Sequence, residues 1–305
     1  MEKLFTNTPL IKIIYKFNEE IHEVYAKLEY FTLTGSIKDK VAYYILKKAI
    51  EKNEYEDGMP IVEASSGNTA ISFAALGAFY KSPVYIFMPS WVSKERKQVL
   101  KLYGAKIKTF NERQGGFNKC IEEANKLSKE INGFRPDQFS NYNNILAHQK
   151  YTAKEILKKM NKIDTFVSGI GTAGTLTGCG KVFKKMHDSK IICVNPISKN
   201  KNHKIDGISD GLIPSILDEN IIDHYENIFD DDAINMAIKF SEELGLGIGI
   251  SSAANFLGCV LNNNKRYTVT VFPDDSKKYL SILKHKKRIK NSISENIELL
   301  TFEII

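Results

Sequence analysis

Short apolar runs in this chain keep ending in turn-forming clusters that open onto helical spacing, and no other feature constrains its fold as tightly. Runs at 60–63, 84–88, 165–168, 190–194 and 268–272 have strand length. Helical spacing follows several of them, over 68–79, 94–103 and 175–186. That alternation predicts an α/β fold with a mostly parallel sheet flanked by helices. No internal repeat or low-complexity linker breaks the pattern, and 305 residues suffice for two domains.

Composition removes several function classes. The chain is 43% hydrophobic and 26% charged, an ordinary globular balance, with a formal net charge of +7. Its dense basic run, Lys284-His285-Lys286-Lys287-Arg288-Ile289-Lys290, reads as a solvated face, and no nucleic-acid motif accompanies it. No apolar run approaches the roughly 20 residues of a membrane span. The N-terminal residues lack the apolar stretch of a signal peptide. Cys120, Cys179, Cys193 and Cys259 lie far apart without metal-ligand spacing, which points to free thiols in a reducing cytoplasm. The histidines form no ligand cluster, so no metal is expected. The tail Leu299-Leu300-Thr301-Phe302-Glu303-Ile304-Ile305 is apolar enough to pack on the chain's own core or on a partner subunit.

Lys38 occupies an awkward place. Gly35-Ser36-Ile37-Lys38-Asp39-Lys40 runs into the helical spacing of Val41-Ala42-Tyr43-Tyr44-Ile45-Leu46. Ser36 and Asp39 read as a capping-box-like start, which puts Lys38 in the first helical turn. The dipole there disfavours an ammonium by roughly 0.3–1 kcal/mol at a surface. A neutral amine suits a nucleophilic or Schiff-base lysine. A solvated lysine paired with Asp39 is the plainer alternative.

Three turn clusters accompany it. Glu63-Ala64-Ser65-Ser66-Gly67-Asn68-Thr69-Ala70 offers hydroxyls, an amide and helix-start N–H groups to an anion such as a carboxylate, or simply caps a helix. Gly169-Ile170-Gly171-Thr172-Ala173-Gly174-Thr175 lets the backbone approach a phosphate closely, with Thr172 and Thr175 as further donors. It also matches the dinucleotide fingerprint, but the acidic residue expected about 20 positions on, near the end of the next strand, is missing. A structural glycine turn stays open for this segment. Gly249-Ile250-Ser251-Ser252-Ala253-Ala254-Asn255 is another strand-like run turning into a helix.

In this order the segments resemble the cysteine synthase and cystathionine β-synthase family, which uses pyridoxal phosphate on the fold called type II. The resemblance runs from Asn7-Thr8-Pro9-Leu10 to Phe272-Pro273-Asp274-Asp275. It passes through Met88-Pro89, Ser93-Lys94-Glu95-Arg96, Gly104-Ala105, Gln138-Phe139 and Gly207-Ile208. It implies a smaller N-terminal domain of 32–142 with 1–9, and a larger phosphate-binding domain of 143–305 with 10–31. By the same resemblance Lys38 forms a Schiff base with the cofactor and Asn68 bonds its ring hydroxyl. Gly171, Thr172, Ala173, Gly174 and Thr175 would hold its phosphate, and Ser251 would face its pyridine nitrogen. Ser65, Ser66, Thr69 and Gln138 would bind the substrate carboxylate. A neutral Ser251 leaves the cofactor a weaker electron sink, which suits β-elimination better than transamination. The implied reaction passes through an α-aminoacrylate, with Lys38 taking and returning the α-proton. The family also implies a homodimer.

Departures from the family pattern bear on the substrates. Thr32-Leu33 replaces an Asn-Pro pair, and Ala70, Ala173 and Ala253 replace common glycines. Alanine at such positions must avoid positive φ or accept strain. Asp206-Gly207-Ile208-Ser209-Asp210 replaces a Gln-Gly-Ile-Gly type segment. Asp230-Asp231-Asp232 opens a helix, where acids complement the dipole. The sharper reading makes Asp232 a general base that activates water, so that L-cysteine and water would give L-serine and hydrogen sulfide. O-acetylserine plus sulfide giving cysteine is the alternative pair.

Overall fold

The computed structural model describes residues 1–198, 203–205, 207–208, 212–262, 266–283 and 292–305. The basic run at 284–290 and the substituted positions Asp206, Ser209 and Asp210 lie outside the described residues. Among the described residues no helix is long and apolar enough to cross a membrane.

Among the described residues ten strands fall into two sheets. β1 (Leu10–Phe17) and β2 (Glu20–Leu28) form an antiparallel hairpin, turned by Asn18 and Glu19 at φ of 50° and 66°. Positive φ at both turn residues gives the twist that a two-residue hairpin needs. β3 (Ile61–Ala64), β4 (Val84–Pro89) and β5 (Lys106–Phe110) form a parallel three-stranded sheet in that order. β6 (Thr165–Gly169), β7 (Lys190–Ile197), β8 (His224–Phe229) and β9 (Thr268–Phe272) join the hairpin and β10 (Ile297–Ile304) in a seven-stranded sheet, ordered β10-β1-β2-β9-β6-β7-β8. β2, β9, β6, β7 and β8 run parallel, while β1 is antiparallel to both its neighbours. The expected α/β fold with a large, mostly parallel sheet is therefore present. The apolar tail is β10, paired with the chain's own β1, where Ile297 and Leu299 are buried.

The helices used below are α1 (Lys38–Glu51), α2 (Asn68–Phe79), α3 (Lys94–Leu102), α4 (Gly116–Glu130), α5 (Asn143–Ala147), α6 (Lys154–Leu157), α7 (Gly174–His187), α8 (Asp230–Leu244) and α9 (Ile250–Leu261). A π-helical turn, His148–Ala153, joins α5 to α6. α2 and α9 are apolar on nearly every side and buried along most of their length, as helices covered by neighbouring elements must be. Phe240, Phe256 and Phe272 meet edge to face between α8, α9 and the large sheet.

One polar cluster lies inside the core. Lys40 Nζ donates to Glu29 Oε1 at 2.8 Å and Glu155 Oε2 at 2.9 Å. Lys27 Nζ lies 2.7 Å from the same Glu155 oxygen and also reaches Thr8. Both lysines and Glu29 are essentially inaccessible. Two positive and two negative charges balance here, which is how buried charges are tolerated. The cluster ties β2, α6 and the N-terminal segment to the first turn of α1.

Candidate active site

Lys38 is the first residue of α1, as expected, but the helix carries no side-chain cap and the expected box is absent. Ser36 donates its N–H to Thr32 Oγ1 at 3.2 Å, and the same Thr32 hydroxyl reaches back to Ser36 O at 2.9 Å. Asp39 is engaged elsewhere: its carboxylate accepts from Thr34 N at 2.7 Å, Thr34 Oγ1 at 2.6 Å and Ser72 Oγ at 2.7 Å. Asp39 therefore neither closes a capping box with Ser36 nor pairs with Lys38. Thr32, one of the departures from the family pattern, closes the turn that precedes the helix. Gly35 turns the chain into α1 at φ +74°, and Lys278 Nζ holds its carbonyl at 2.5 Å.

Lys38 is half-buried, and loss of hydration pushes its amine down to about 8. The carboxylate of Asp274 acts in the opposite direction. Asp274 is brought beside Lys38 by backbone pairing: Ser36 and Asp274 form an antiparallel bridge, and Ile37 N donates to Pro273 O at 2.8 Å.

The loop between β3 and α2 lies at the C-terminal end of the small parallel sheet. Ser65 Oγ accepts from Gly67 N and Ala70 N, both at 3.2 Å, so it caps the chain entering α2 while keeping its own proton to donate. Thr69 Oγ1 donates to Gln138 Oε1 at 2.5 Å, and Gln138 Nε2 reaches Ala64 O at 3.1 Å. Ser65, Thr69 and Gln138 are thus brought together, with Ser66 between Ser65 and the start of α2. Asn68 Nδ2 donates to Asp274 Oδ2 at 2.8 Å.

The second loop joins β6 to α7. Ala173 sits at φ +67° as the residue preceding α7, so this alanine accepts the strain, whereas Ala70 and Ala253 lie inside helices. A methyl on Gly171 would fall 2.1 Å from Gly207 O, and one on Gly174 2.0 Å from Asn144 Oδ1. Asn144 Nδ2 donates to both Thr172 Oγ1 and Gln138 O at 2.9 Å, linking this loop to Gln138. Thr175 Oγ1 lies 3.2 Å from His148 Nε2, and His148 Nδ1 lies 3.1 Å from Thr152 Oγ1. Burial, with Lys38 and Lys40 nearby, holds His148 well below the usual imidazole range, so it is neutral. The loop opens at a helix N-terminus, a ready anion site.

These residues fit a cofactor that carries both a phosphate and a polar ring. Buried polar atoms without partners remain at Asn68 Oδ1, Asp274 Oδ1 and Ser36 Oγ, around Lys38. Ser251, buried in the first turn of α9, follows Gly249, whose hydrogen leaves room for Asp274. Asp232 has a different neighbour: its carboxylate accepts from Ser292 Oγ at 2.5 Å at the start of α8.

Asp274, Tyr279, Arg96, Asn144 and His148 were not assigned roles from sequence. The available signal was position, since Pro273-Asp274 directly follows β9 at the carboxyl edge of a parallel sheet.

Comparisons with known proteins agree with this geometry. The family described as pyridoxal-phosphate dependent enzyme matches residues 1–274. Cysteine synthase B of Campylobacter jejuni is 35% identical over 294 residues, covering 92% of this chain and 96% of that one. Cysteine synthase of Staphylococcus aureus is 32% identical, covering 92% and 94%. The crystal structure of a hydrogen sulfide-producing enzyme from Fusobacterium nucleatum superposes with a TM-score of 0.93 at 41% identity, over 100% of this chain and 98% of that one. A glycine loop at a helix start, a half-buried lysine at another and a match along the chain together place this chain in the cysteine synthase family of pyridoxal-phosphate-dependent enzymes, of fold type II.

Proposed function

We propose that the chain replaces the β-substituent of a β-substituted L-alanine, with L-cysteine and water as the favoured pair and L-serine and hydrogen sulfide as products. The observation that carries the reading is Lys38: an amine lowered to about 8, half-buried at the start of α1, beside an Asp274 that Asn68 bonds from the loop after β3. Lys38, Asn68, the loop from Gly171 to Thr175 and Ser251 would hold the cofactor. When bound, it supplies the electron sink that lets a Cα–H bond break. Lys38 Nζ is then the base for the α-proton and the acid that gives it back. Ser65, Ser66, Thr69 and Gln138 orient the substrate carboxylate, and the neutral His148 supports the Thr175 hydroxyl at the phosphate end.

The direction toward sulfide is supported by the 41% identity to the hydrogen sulfide-producing enzyme. An Asp-to-Asn form of such an enzyme is described as complexed with an alpha-aminoacrylate intermediate. The second reading, O-acetylserine plus sulfide giving cysteine, is favoured by the relatives named cysteine synthase. Parallel assays separate the two: cysteine alone, with sulfide and serine measured, against O-acetylserine with sulfide, with cysteine measured. The first should be the faster; a faster second assay transfers the chain to the alternative.

The water-activating role for Asp232 is tested separately. The alpha-aminoacrylate held by an Asp-to-Asn form of the related enzyme supports Asp232 as the base, so Asp232→Asn should lower serine formation at least about tenfold, or about 1.4 kcal/mol. Sulfide and serine formed at the parent rate would overturn that role and leave Asp232 as an acid that complements the helix dipole. A homodimer of 34.5 kDa chains is the assembly the family implies, and size-exclusion chromatography coupled to light scattering tests it.

A further inference from the structure

Asp274 is inaccessible to solvent, and nothing in the proposed chemistry uses it. Its Oδ2 accepts from Tyr279 Oη at 2.6 Å and from Asn68 Nδ2 at 2.8 Å, while Oδ1 has no partner. Tyr279 in turn accepts from Arg96 Nη2 at 2.8 Å, with the guanidinium stacked over its ring at 4.8 Å. The backbone fixes the carboxylate in place: Gly249 N and Ser252 Oγ both donate to Asp274 O, at 2.9 and 3.1 Å. Gly249 leaves the space its Oδ1 occupies, since a methyl there would fall 1.9 Å away. Three chain segments are thus organised around one carboxylate that runs antiparallel to the residues leading into Lys38.

We propose that Asp274 is the counter-charge of Lys38, a positioning residue that shelters the lysine ammonium between taking the substrate proton and returning it. The inference rests on Lys38 as the proton carrier. When the Cα–H bond breaks, the proton forms a new N–H bond on Nζ and the bonding pair stays on the carbon side. Return of the proton reverses both changes. Between the two events a partly desolvated ammonium stands in the site, and a desolvated charge needs a partner.

The other ionisable neighbours are engaged. Asp39 is taken by Thr34 and Ser72, and Lys40 by Glu29 and Glu155. α2 and α5, which pack on α1, carry no ionisable side chain. On the π-helical turn His148 is neutral, Lys150 stacks on Tyr44 and Tyr151, and burial raises the Tyr151 phenol. Lys278 faces Asp274 and Asp275 but spends its ammonium on Gly35 O. Asp274 is the carboxylate left to face Lys38.

The test uses cofactor-free full-length protein, so it does not depend on turnover. Competitive acetylation across pH, read at the Lys38 peptide by mass spectrometry, gives the midpoint at which the amine becomes reactive. In the parent the midpoint is expected at about 8. Asp274→Asn removes the charge and should lower it by about one pH unit or more. Gly249→Ala pushes the carboxylate aside without removing it and should also lower it. Tyr279→Phe keeps the carboxylate and should not. A purely structural role for Asp274 predicts the reverse, because a loosened site lets water in and returns Lys38 toward the ordinary lysine range. An unchanged or raised midpoint in the first two variants overturns the proposal. Absence of sulfide from cysteine would overturn the proposed function and leave this result standing.

Discussion

Ala173 is the residue where this chain departs most plainly from comfortable backbone geometry. A side chain in the left-handed region costs roughly 1–2 kcal/mol, and the extra freedom of an unfolded glycine offsets part of that. Ala173→Gly should therefore stabilise the cofactor-free protein by about 0.5–1 kcal/mol in urea denaturation. Gly171→Ala should act the other way on ligand binding. Its methyl would strike a backbone carbonyl that cannot rotate aside, and pyridoxal phosphate affinity should fall at least about tenfold, or about 1.4 kcal/mol. Equilibrium dialysis of cofactor-free protein checks it. The glycines and threonines of this loop were legible in sequence because the chemistry needs small residues and hydroxyls at a helix start. The Ser36–Asp39 cap was misread for a physical reason. Local spacing cannot show that Thr34 and Ser72 compete for the Asp39 carboxylate.

At the scale of elements, the first turn of α1 depends on Lys40. Replacing it with methionine would leave Glu29 and Glu155 in the core with Lys27 as their remaining cation. A broken buried pair costs about 3–5 kcal/mol, so Lys40→Met should show a large loss in chemical denaturation. Lys40→Arg, which keeps the charge, should recover much of it. Nothing in the sequence distinguishes Lys40 from a solvated helix lysine, because its burial comes from segments far away in the chain. Regular elements were easier. α2 spans 68–79 as read, and β9 spans 268–272, since both are apolar and sharply bounded. The β1–β2 hairpin was not anticipated. Its turn is Asn18-Glu19 rather than a glycine pair, so the usual turn signal is missing. β5, with Lys106 and Lys108 exposed at a sheet edge, is too polar to stand out. The π-helical turn, which aims His148 at Thr175, has no sequence signature.

For the molecule as a whole, the site forms where the carboxyl ends of both sheets face the start of α1. The small sheet brings the loop of Ser65 to Thr69; the large one brings the glycine loop of Gly171 to Thr175 and Asp274. Burial of Lys38 at this junction sets a pH dependence. The neutral amine is the nucleophile, and its folded value of about 8 lies below the ordinary lysine value. The rate at which cofactor-free protein captures pyridoxal phosphate should therefore rise as pH increases through about 8 and then level off, as read by stopped-flow absorbance. A rise that continues to the ordinary lysine range would mean that Lys38 is fully hydrated. The chemistry was legible from four separated motifs, but the choice of nucleophile was not, because it depends on side chains brought together by the fold. The most direct measurement supplies the loaded enzyme with L-cysteine in heavy-oxygen water and analyses both products. The account predicts equal amounts of sulfide and serine, with the heavy oxygen in the serine hydroxyl. Sulfide-free mixtures, or sulfide without labelled serine, would contradict it.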